Sequence, residues 1–210
     1  MNQDRRVTLF HAPNSRSTGV VILLEELHAD YRTRLLSLKQ GQQRQAAYLE
    51  LNPMGKVPAL LHGNCLVTEQ VALFIYLSDL YPEAGLTPAI GDPQRGAWLR
   101  WLAFYGSCFE PALSDRARQV APAPQMQCPY GDYDSMLATL TGQLEKGPYL
   151  LGERLSSADL LWGIALRWTV GFGLVPELPV IKAYVERLAA RPSVARAAEL
   201  DARWQAELGD

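Results

Sequence analysis

The sequence predicts two domains of different class. An α/β domain with a four-stranded mixed sheet and covering helices spans residues 1–83, a linker 84–91, and an all-α domain 92–210. Three observations carry this. Short β-like runs alternate with helical periodicity as far as residue 81, prolines and glycines then cluster in "PEAGLTPAIGDP" (82–93), and no convincing strand follows.

In order, "RVTLF" (6–10) reads as a strand, "SRSTGVVILLEELHA" (15–29) as a helix opened by hydroxyl residues, and "DYRTRLLSL" (30–38) as a second strand. The polar "KQGQQRQAAYLEL" suits a short helix. "VPALL" and "CLVT", joined by His62-Gly63-Asn64, read as an antiparallel hairpin, and "EQVALFIYLSDLY" (69–81) returns to helical periodicity. Beyond the linker, "RGAWLRWLAFYGSCFEPAL" (95–113) is a long aromatic-rich helix that Pro111 ends or kinks, and "APAPQMQCPYGD" (121–132) is a proline-rich loop. Four further helical patterns complete the chain. "SSAD" (156–159) has the form of a helix capping box, a structural role for Asp159.

A 210-residue chain with 48% hydrophobic and 20% charged residues and a formal net charge of -2 has no basic excess to attract nucleic acid or an anionic membrane. The opening "MNQDRRVTLF" lacks an apolar leader core, and no apolar run is long enough to span a bilayer, so a cytoplasmic location is expected. Cys65, Cys108 and Cys128 are widely spaced without a C-x-x-C, implying no disulfide framework, zinc site or dithiol centre. His11, His28 and His62 show no metal-ligand spacing and are read as surface or edge residues; no metal is expected.

"NPMGKVPALL" (52–61) places Pro58 inside an otherwise β-like segment. Proline lacks an N–H, so it sits at a strand's edge or start, or follows a cis bond. A cis Val57-Pro58 bond would free the backbone of Val57 to face a cleft.

This segment, the serine-bearing turn at a helix start, "VTEQVALFIYLSDLYP" and "YLLGERLSSADLLWG", occurring in this order, resemble the cytosolic-type glutathione transferases, bacterial members especially. The resemblance covers nearly the whole chain. It implies a thioredoxin-like first domain that holds glutathione and a helical second domain that contributes the pocket for an electrophile. It further implies that Val57 and Pro58 form a backbone clamp for the cysteinyl part of glutathione, and that the protein is a homodimer.

Glutathione presents an ammonium, two carboxylates and a thiol, which call for an anion, oriented N–H groups and a cation. Glu69 at a helix start suits the ammonium, and the N–H groups of Glu69 and Gln70 suit the adjacent carboxylate. The family usually has a small residue where Gln70 stands. Lys56 is a candidate for backbone or carboxylate contacts; Lys39, Gln42 and Gln43 are candidates for the glycyl end. At pH 7 only about 3% of an ordinary thiol with pKa about 8.5 is ionised, and a hydroxyl donor at a helix N-terminus supplies an effect that favours the thiolate.

The resemblance implies Ser15 as the first candidate, since its spacing from the first strand matches the catalytic serine of serine-type members. Alignment on the cysteine-type bacterial class of the family instead puts Arg16 at the catalytic position with Ser17 beside it, so both serines and Arg16 stay open. Many relatives carry arginine where Gly19 stands, a departure that bears on the site's electrostatics. No tyrosine or cysteine lies near the first strand, which disfavours a tyrosine-type mechanism and transfer through a protein mixed disulfide. For the electrophile, Trp101, Tyr105, Cys108 and Phe109 share a helix face, with Trp168 and Phe172 as later candidates, although such a stripe is more often core than pocket. The expected activity is attack of the glutathione thiolate on small apolar electrophiles. The alternatives are a glutathione-dependent peroxidase, reductase or isomerase, or a non-catalytic binding protein on the same fold.

Overall fold

The computed structural model describes residues 5–121 and 123–209. The first four residues of the opening stretch, Pro122 of the proline-rich loop and the last residue lie outside these. The described residues form two compact units. One comprises the chain up to Ala84 together with the segment from Arg191 onward; the other is Gly85–Ala190.

In the first unit, β1 (Val7–His11), β2 (Tyr31–Leu35), β3 (Ala59–His62) and β4 (Cys65–Thr68) form one sheet in the order β2-β1-β3-β4. β1 runs parallel to β2, pairing Leu9 with Thr33, and antiparallel to β3, pairing Leu9 with Leu60; β3 and β4 form the expected hairpin. The mixed sheet follows from the connections. A helix, α1 (Ser17–Glu26), carries the chain from β1 to a parallel neighbour, whereas a turn at Gly63, φ 57°, returns β3 directly into β4.

Strand alternation sends Val7, Leu9 and His11 to the buried side of β1. α1 buries Val20, Val21, Ile22, Leu23 and Leu24, each worth about 1.5–3 kcal/mol of transfer free energy. α2 (Ala46–Leu49) and α3 (Gln70–Leu80) follow in this unit.

The last helix, α9 (Pro192–Leu208), follows the helical domain in sequence but packs against α1 of the sheet unit. Its buried face is Ala197, Leu200, Asp201 and Trp204, the i, i+3, i+4, i+7 stripe of an amphipathic helix. Its start is pinned by Arg191, whose Nε and guanidinium NH2 each lie 2.6 Å from a carboxylate oxygen of Glu26, with the Ser193 hydroxyl donating to the same carboxylate. Burial alone would raise the Glu26 carboxyl; the bonds from Arg191 and Ser193 outweigh it and hold it below its ordinary value.

The second unit contains α4 (Gln94–Phe104), α5 (Glu110–Ala117), α6 (Tyr133–Leu144), α7 (Ser157–Gly171) and α8 (Pro179–Ala189). Pro111 neither ends nor simply kinks the expected long helix. A π-helical turn, Tyr105–Phe109, joins α4 to α5, and Pro111 lies in the first turn of α5, where a missing N–H is tolerated.

The proline-rich stretch after residue 84 is strapped to this unit. Ser157 N–H donates to the Leu86 carbonyl at 2.8 Å, Arg95 to that of Pro88 at 2.8 Å, and Arg154 reaches Thr87 and Asp92. α7 starts with the expected capping box. The Asp159 carboxylate accepts from the Ser156 N–H and hydroxyl, both at 2.8 Å, and also from the Leu150 N–H at 2.7 Å and the Tyr184 hydroxyl at 2.9 Å. At Gly163 a Cβ would fall 2.4 Å from Leu188 Cδ1, so glycine lets α7 and α8 approach closely. Among the described residues no helix is long and apolar enough to cross a membrane.

Candidate functional site

The loop from β1 into α1 holds a chain of polar groups that begins partly exposed and ends buried. Ser15 Oγ lies 2.7 Å from Ser17 Oγ, Ser17 Oγ lies 2.8 Å from His11 Nδ1, and His11 Nε2 lies 2.9 Å from Asp201 Oδ1. Ser15 is partly exposed, whereas Ser17 and His11 are fully buried. The Ala12 carbonyl, 2.7 Å from Ser15 Oγ, is a second acceptor within reach of the Ser15 proton, and Ser15 Oγ accepts from the Ser17 N–H at 3.1 Å.

Asp201 closes the array from α9. Its second carboxylate oxygen accepts from the Asn14 N–H at 2.9 Å and the Thr18 hydroxyl at 2.6 Å. Burial pushes its carboxyl up, but the bonds from His11, Thr18 and Asn14 outweigh that and hold it below its ordinary value. An ionised carboxylate only accepts, so His11 Nε2 carries a proton, and in the neutral ring Nδ1 is the acceptor for Ser17.

This corrects the reading of His11 as a surface or edge residue. It occupies an inward position of β1, its ring edge-on to Trp204 at 5.0 Å. The period-two pattern through Val7 and Leu9 was the available signal for His11. For Asp201, also missed, it was an aspartate in the apolar stripe of the last helix. The two serines differ in burial: Ser17 is fully buried, whereas Ser15 is partly exposed.

The other expected residues gather on neighbouring loops of the same unit. The Val57-Pro58 bond is cis, and Val57 lies just before the strand ladder that begins at Ala59. The turn before it is held by its backbone: the Lys56 carbonyl accepts from the Tyr48 hydroxyl at 2.6 Å and the Asn52 amide at 2.9 Å. Gly55, at φ 59°, has Gln43 O only 2.8 Å from where a Cβ would sit, so glycine is required there. Tyr48 and Asn52 went unnoticed as supports because their work is done on a backbone oxygen.

The Lys56 side chain is exposed. Glu69, also exposed, opens α3 at φ 64°, a conformation uncommon for a non-glycine residue and found disproportionately at functional sites. The Gln70 side-chain amide donates to the Arg16 carbonyl at 3.0 Å, tying the start of α3 to the start of α1. The Arg16 side chain is exposed. Of the residues considered for a glycyl carboxylate, Lys39 is exposed, Gln42 accepts from the Ser37 N–H, and Gln43 buries its side-chain oxygen without a hydrogen-bond partner.

The residues expected to line an electrophile pocket divide differently. Trp101, Tyr105 and Phe109 are core side chains of the helical unit, packed around Trp162 at ring separations of 6.0, 5.6 and 4.7 Å and at most 3% exposed. The Tyr105 hydroxyl donates to Glu110. Cys108 is partly exposed, and Phe172 is well exposed. Among the described residues no group of three or more His, Cys, Asp or Glu side chains could hold a metal ion.

Comparison with known proteins agrees with this architecture. The chain matches the family descriptions "Glutathione S-transferase, N-terminal domain" over residues 5–79 and "Glutathione S-transferase, C-terminal domain" over 131–192. It is 28% identical to the disulfide-bond oxidoreductase YfcG of Escherichia coli K12, over 97% of each chain. Among solved structures it resembles a glutathione transferase from Methylococcus capsulatus, with 31% identity, a TM-score of 0.79, and coverage of 93% of this chain and 98% of that one. A sphingomonad glutathione S-transferase complexed with glutathione gives 30% identity, a TM-score of 0.76 and the same coverage. With the family pattern matched over both parts of the molecule, and the polar loop, cis bond and helix start gathered in one unit, the chain belongs to the glutathione S-transferase family.

Proposed function

We propose that this protein is a glutathione transferase in which Ser15 donates its hydroxyl proton to the bound thiolate, which then attacks a small apolar electrophile. The observation that carries the reading is the position of Ser15. Ser15 is a partly exposed residue beside the start of α1, and the start of α3 is tied to that point through Gln70 and the Arg16 carbonyl. A donor at a helix N-terminus lowers a thiol pKa by hydrogen bonding and by the positive end of the helix dipole. The solved sphingomonad relative that carries glutathione supports the choice of thiol.

Within this reading Glu69 takes the γ-glutamyl ammonium, the N–H groups of Glu69 and Gln70 take the adjacent carboxylate, and Val57, with Pro58 fixing its direction, pairs with the cysteinyl backbone. Lys56 and Arg16 supply positive charge, Ser17 supports Ser15 from behind, and Cys108 is the candidate retained for contact with the electrophile. A cytoplasmic, homodimeric detoxification enzyme is the physiological form proposed.

Isothermal titration with glutathione, followed by a screen of halonitroarenes, epoxides, isothiocyanates and hydroperoxides, tests the proposal. Micromolar to millimolar binding with conjugate formation is expected. The similarity to a disulfide-bond oxidoreductase gives a second reading, in which the same thiolate attacks a disulfide sulfur. Turnover of a mixed disulfide without any conjugation would select it.

A further inference from the structure

Resting on the reading that a glutathione thiol meets Ser15, we propose that the thiol proton is kept inside the protein, passed through Ser15 and Ser17 to the His11 imidazole, which Asp201 holds as an imidazolium. The array has the spacing for it: the successive separations from Ser15 Oγ to His11 Nδ1 are 2.7 and 2.8 Å, and the carboxylate lies 2.9 Å beyond Nε2. Only its first member reaches the surface.

The starting directions follow from Asp201. With Nε2–H donating to the carboxylate, Nδ1 offers a lone pair and accepts the Ser17 proton, leaving Ser17 Oγ to accept from Ser15. Two other bonds compete for the serine protons, since Ser15 and Ser17 each also have the Ala12 carbonyl as acceptor, at 2.7 and 3.1 Å. The Ala12 N–H donates to Ser17 Oγ at 3.1 Å and is undisturbed by either arrangement.

Transfer then proceeds by exchange along the row. The thiol S–H bond breaks as its proton bonds to Ser15 Oγ, the former Ser15 proton passes to Ser17 Oγ, and the former Ser17 proton passes to Nδ1. No electron changes owner and no co-reactant is needed. The products are a thiolate, two intact hydroxyls and an imidazolium. Every hydrogen bond in the row has reversed: Nδ1–H now donates to Ser17, Ser17 to Ser15, and Ser15 to the thiolate. The transfer therefore creates the donor that the thiolate requires, which a resting Ser15 bonded inward does not offer.

The charged group facing the imidazole from α9 is Asp201. From the start of α1 come Ser17 and Thr18, the latter on the same carboxylate; α9 also contributes the Trp204 ring; and β2 pairs Leu35 with His11. His11 and Asp201 touch neither substrate in this scheme. They are positioning residues that act through the serines.

The test uses the full chain. Isothermal titration with glutathione at about pH 7, repeated in buffers of different ionisation enthalpy, counts protons released, while thiolate absorbance and nitrogen NMR of the histidine rings, with His11 assigned through His11→Gln, follow the two ends of the row. The expected result is thiolate formation with almost no proton released and conversion of a neutral His11 ring to imidazolium. S-methylglutathione, which has no thiol proton, should bind and leave the ring neutral. His11→Gln and Asp201→Asn should each leave roughly tenfold less bound thiolate at that pH, with the remainder releasing about one proton per thiolate.

A His11 ring that is already charged before glutathione is added, or one that stays neutral while thiolate forms and about one proton reaches the buffer, overturns the relay and leaves the transferase reading standing. Absence of glutathione binding overturns both. Should the variants fail to fold, the proton count and the thiolate absorbance of the unaltered protein decide alone: thiolate formed with about one proton released overturns the relay, and thiolate formed with almost none released supports it.

Discussion

Asp201 and Asp159 are both buried aspartates, each accepting hydrogen bonds from several donors, yet the two regions use them differently. Asp201, in the sheet unit, faces a titratable imidazole whose other nitrogen leads through two hydroxyls to the surface, and its carboxyl is held below the ordinary value of 3.8. Asp159, in the helical unit, faces the Leu150 and Ser156 N–H groups and the Ser156 and Tyr184 hydroxyls, none of which relays a proton onward. There burial wins, and the carboxyl is raised above 3.8. Both carboxylates are buried and accept several hydrogen bonds, so the regions differ in what each carboxylate's partner touches next.

Replacing Asp159 should produce the largest effect and leave binding alone. Asp159→Ala strands buried donors of Leu150, Ser156 and Tyr184 and should cost about 3–5 kcal/mol of stability, read from a denaturant midpoint, with glutathione affinity per folded molecule unchanged. Glu69→Ala should do the reverse: weaken glutathione by about 1.5–3 kcal/mol in a titration, the scale of a charge-assisted hydrogen bond, and barely move the midpoint. An unchanged dissociation constant would remove Glu69 from the site.

Acid should separate the regions. Glu26 and Asp201 both have folded-state values below their ordinary 4.5 and 3.8, so the stability they contribute is present above those values and is lost as the pH falls through the folded ones. Asp159 is raised, so its contribution is complete below 3.8 and is lost as the pH rises through its folded value. Since Glu26 and Asp201 both hold α9, amide exchange in α9 should accelerate before that in α7 as pH falls below about 4. The shared effect should be about 1–2 kcal/mol, because Glu26 and Arg191 remain partly solvated. Arg191→Ala should advance this loss; simultaneous loosening of α9 and α7 would show that the packing of α9 on α1 is not the weak point.

The same contrast explains what the sequence made legible. The βαβ start, the hairpin, the cis Val57-Pro58 bond and the capping box all rest on local signals, a period, a turn residue or a short motif, and the structure contains each. His11 and Asp201 are separated by 190 residues and meet only because α9 packs on α1, so no local window contains the pair. Their separate signals, a histidine in register with Val7 and Leu9 and an aspartate in register with Ala197, Leu200 and Trp204, are anomalies of pattern that gain meaning only together. Trp101, Tyr105 and Phe109 show the opposite difficulty. One helix face of aromatics is more often core than pocket but suits either, and the partner that buries these three, Trp162, comes from a helix far along the chain.

Ser15→Ala gives the smallest expected energy and the most discriminating profile. Removing one hydroxyl donor should raise the pKa of bound glutathione by about one unit, worth about 1.4 kcal/mol, with little change in affinity because the proposed γ-glutamyl and cysteinyl contacts lie on Glu69, Gln70 and Val57. Conjugation should therefore fall most at about pH 6.5 and recover at about pH 9, where the thiol ionises without help. Ser17→Ala, measured beside it, leaves the Ser15 hydroxyl in place but strands Nδ1 of His11. If Ser17 only caps the helix, thermal stability should drop with the thiolate titration unmoved. If Ser17 governs how Ser15 points, the titration should shift upward by a similar amount even though the Ser17 hydroxyl, fully buried, has no route to the sulfur. A shift with Ser17→Ala and none with Ser15→Ala would place the donor on the wrong serine, and an unmoved titration in both would leave the anion to the N–H groups of the helix start and to Arg16.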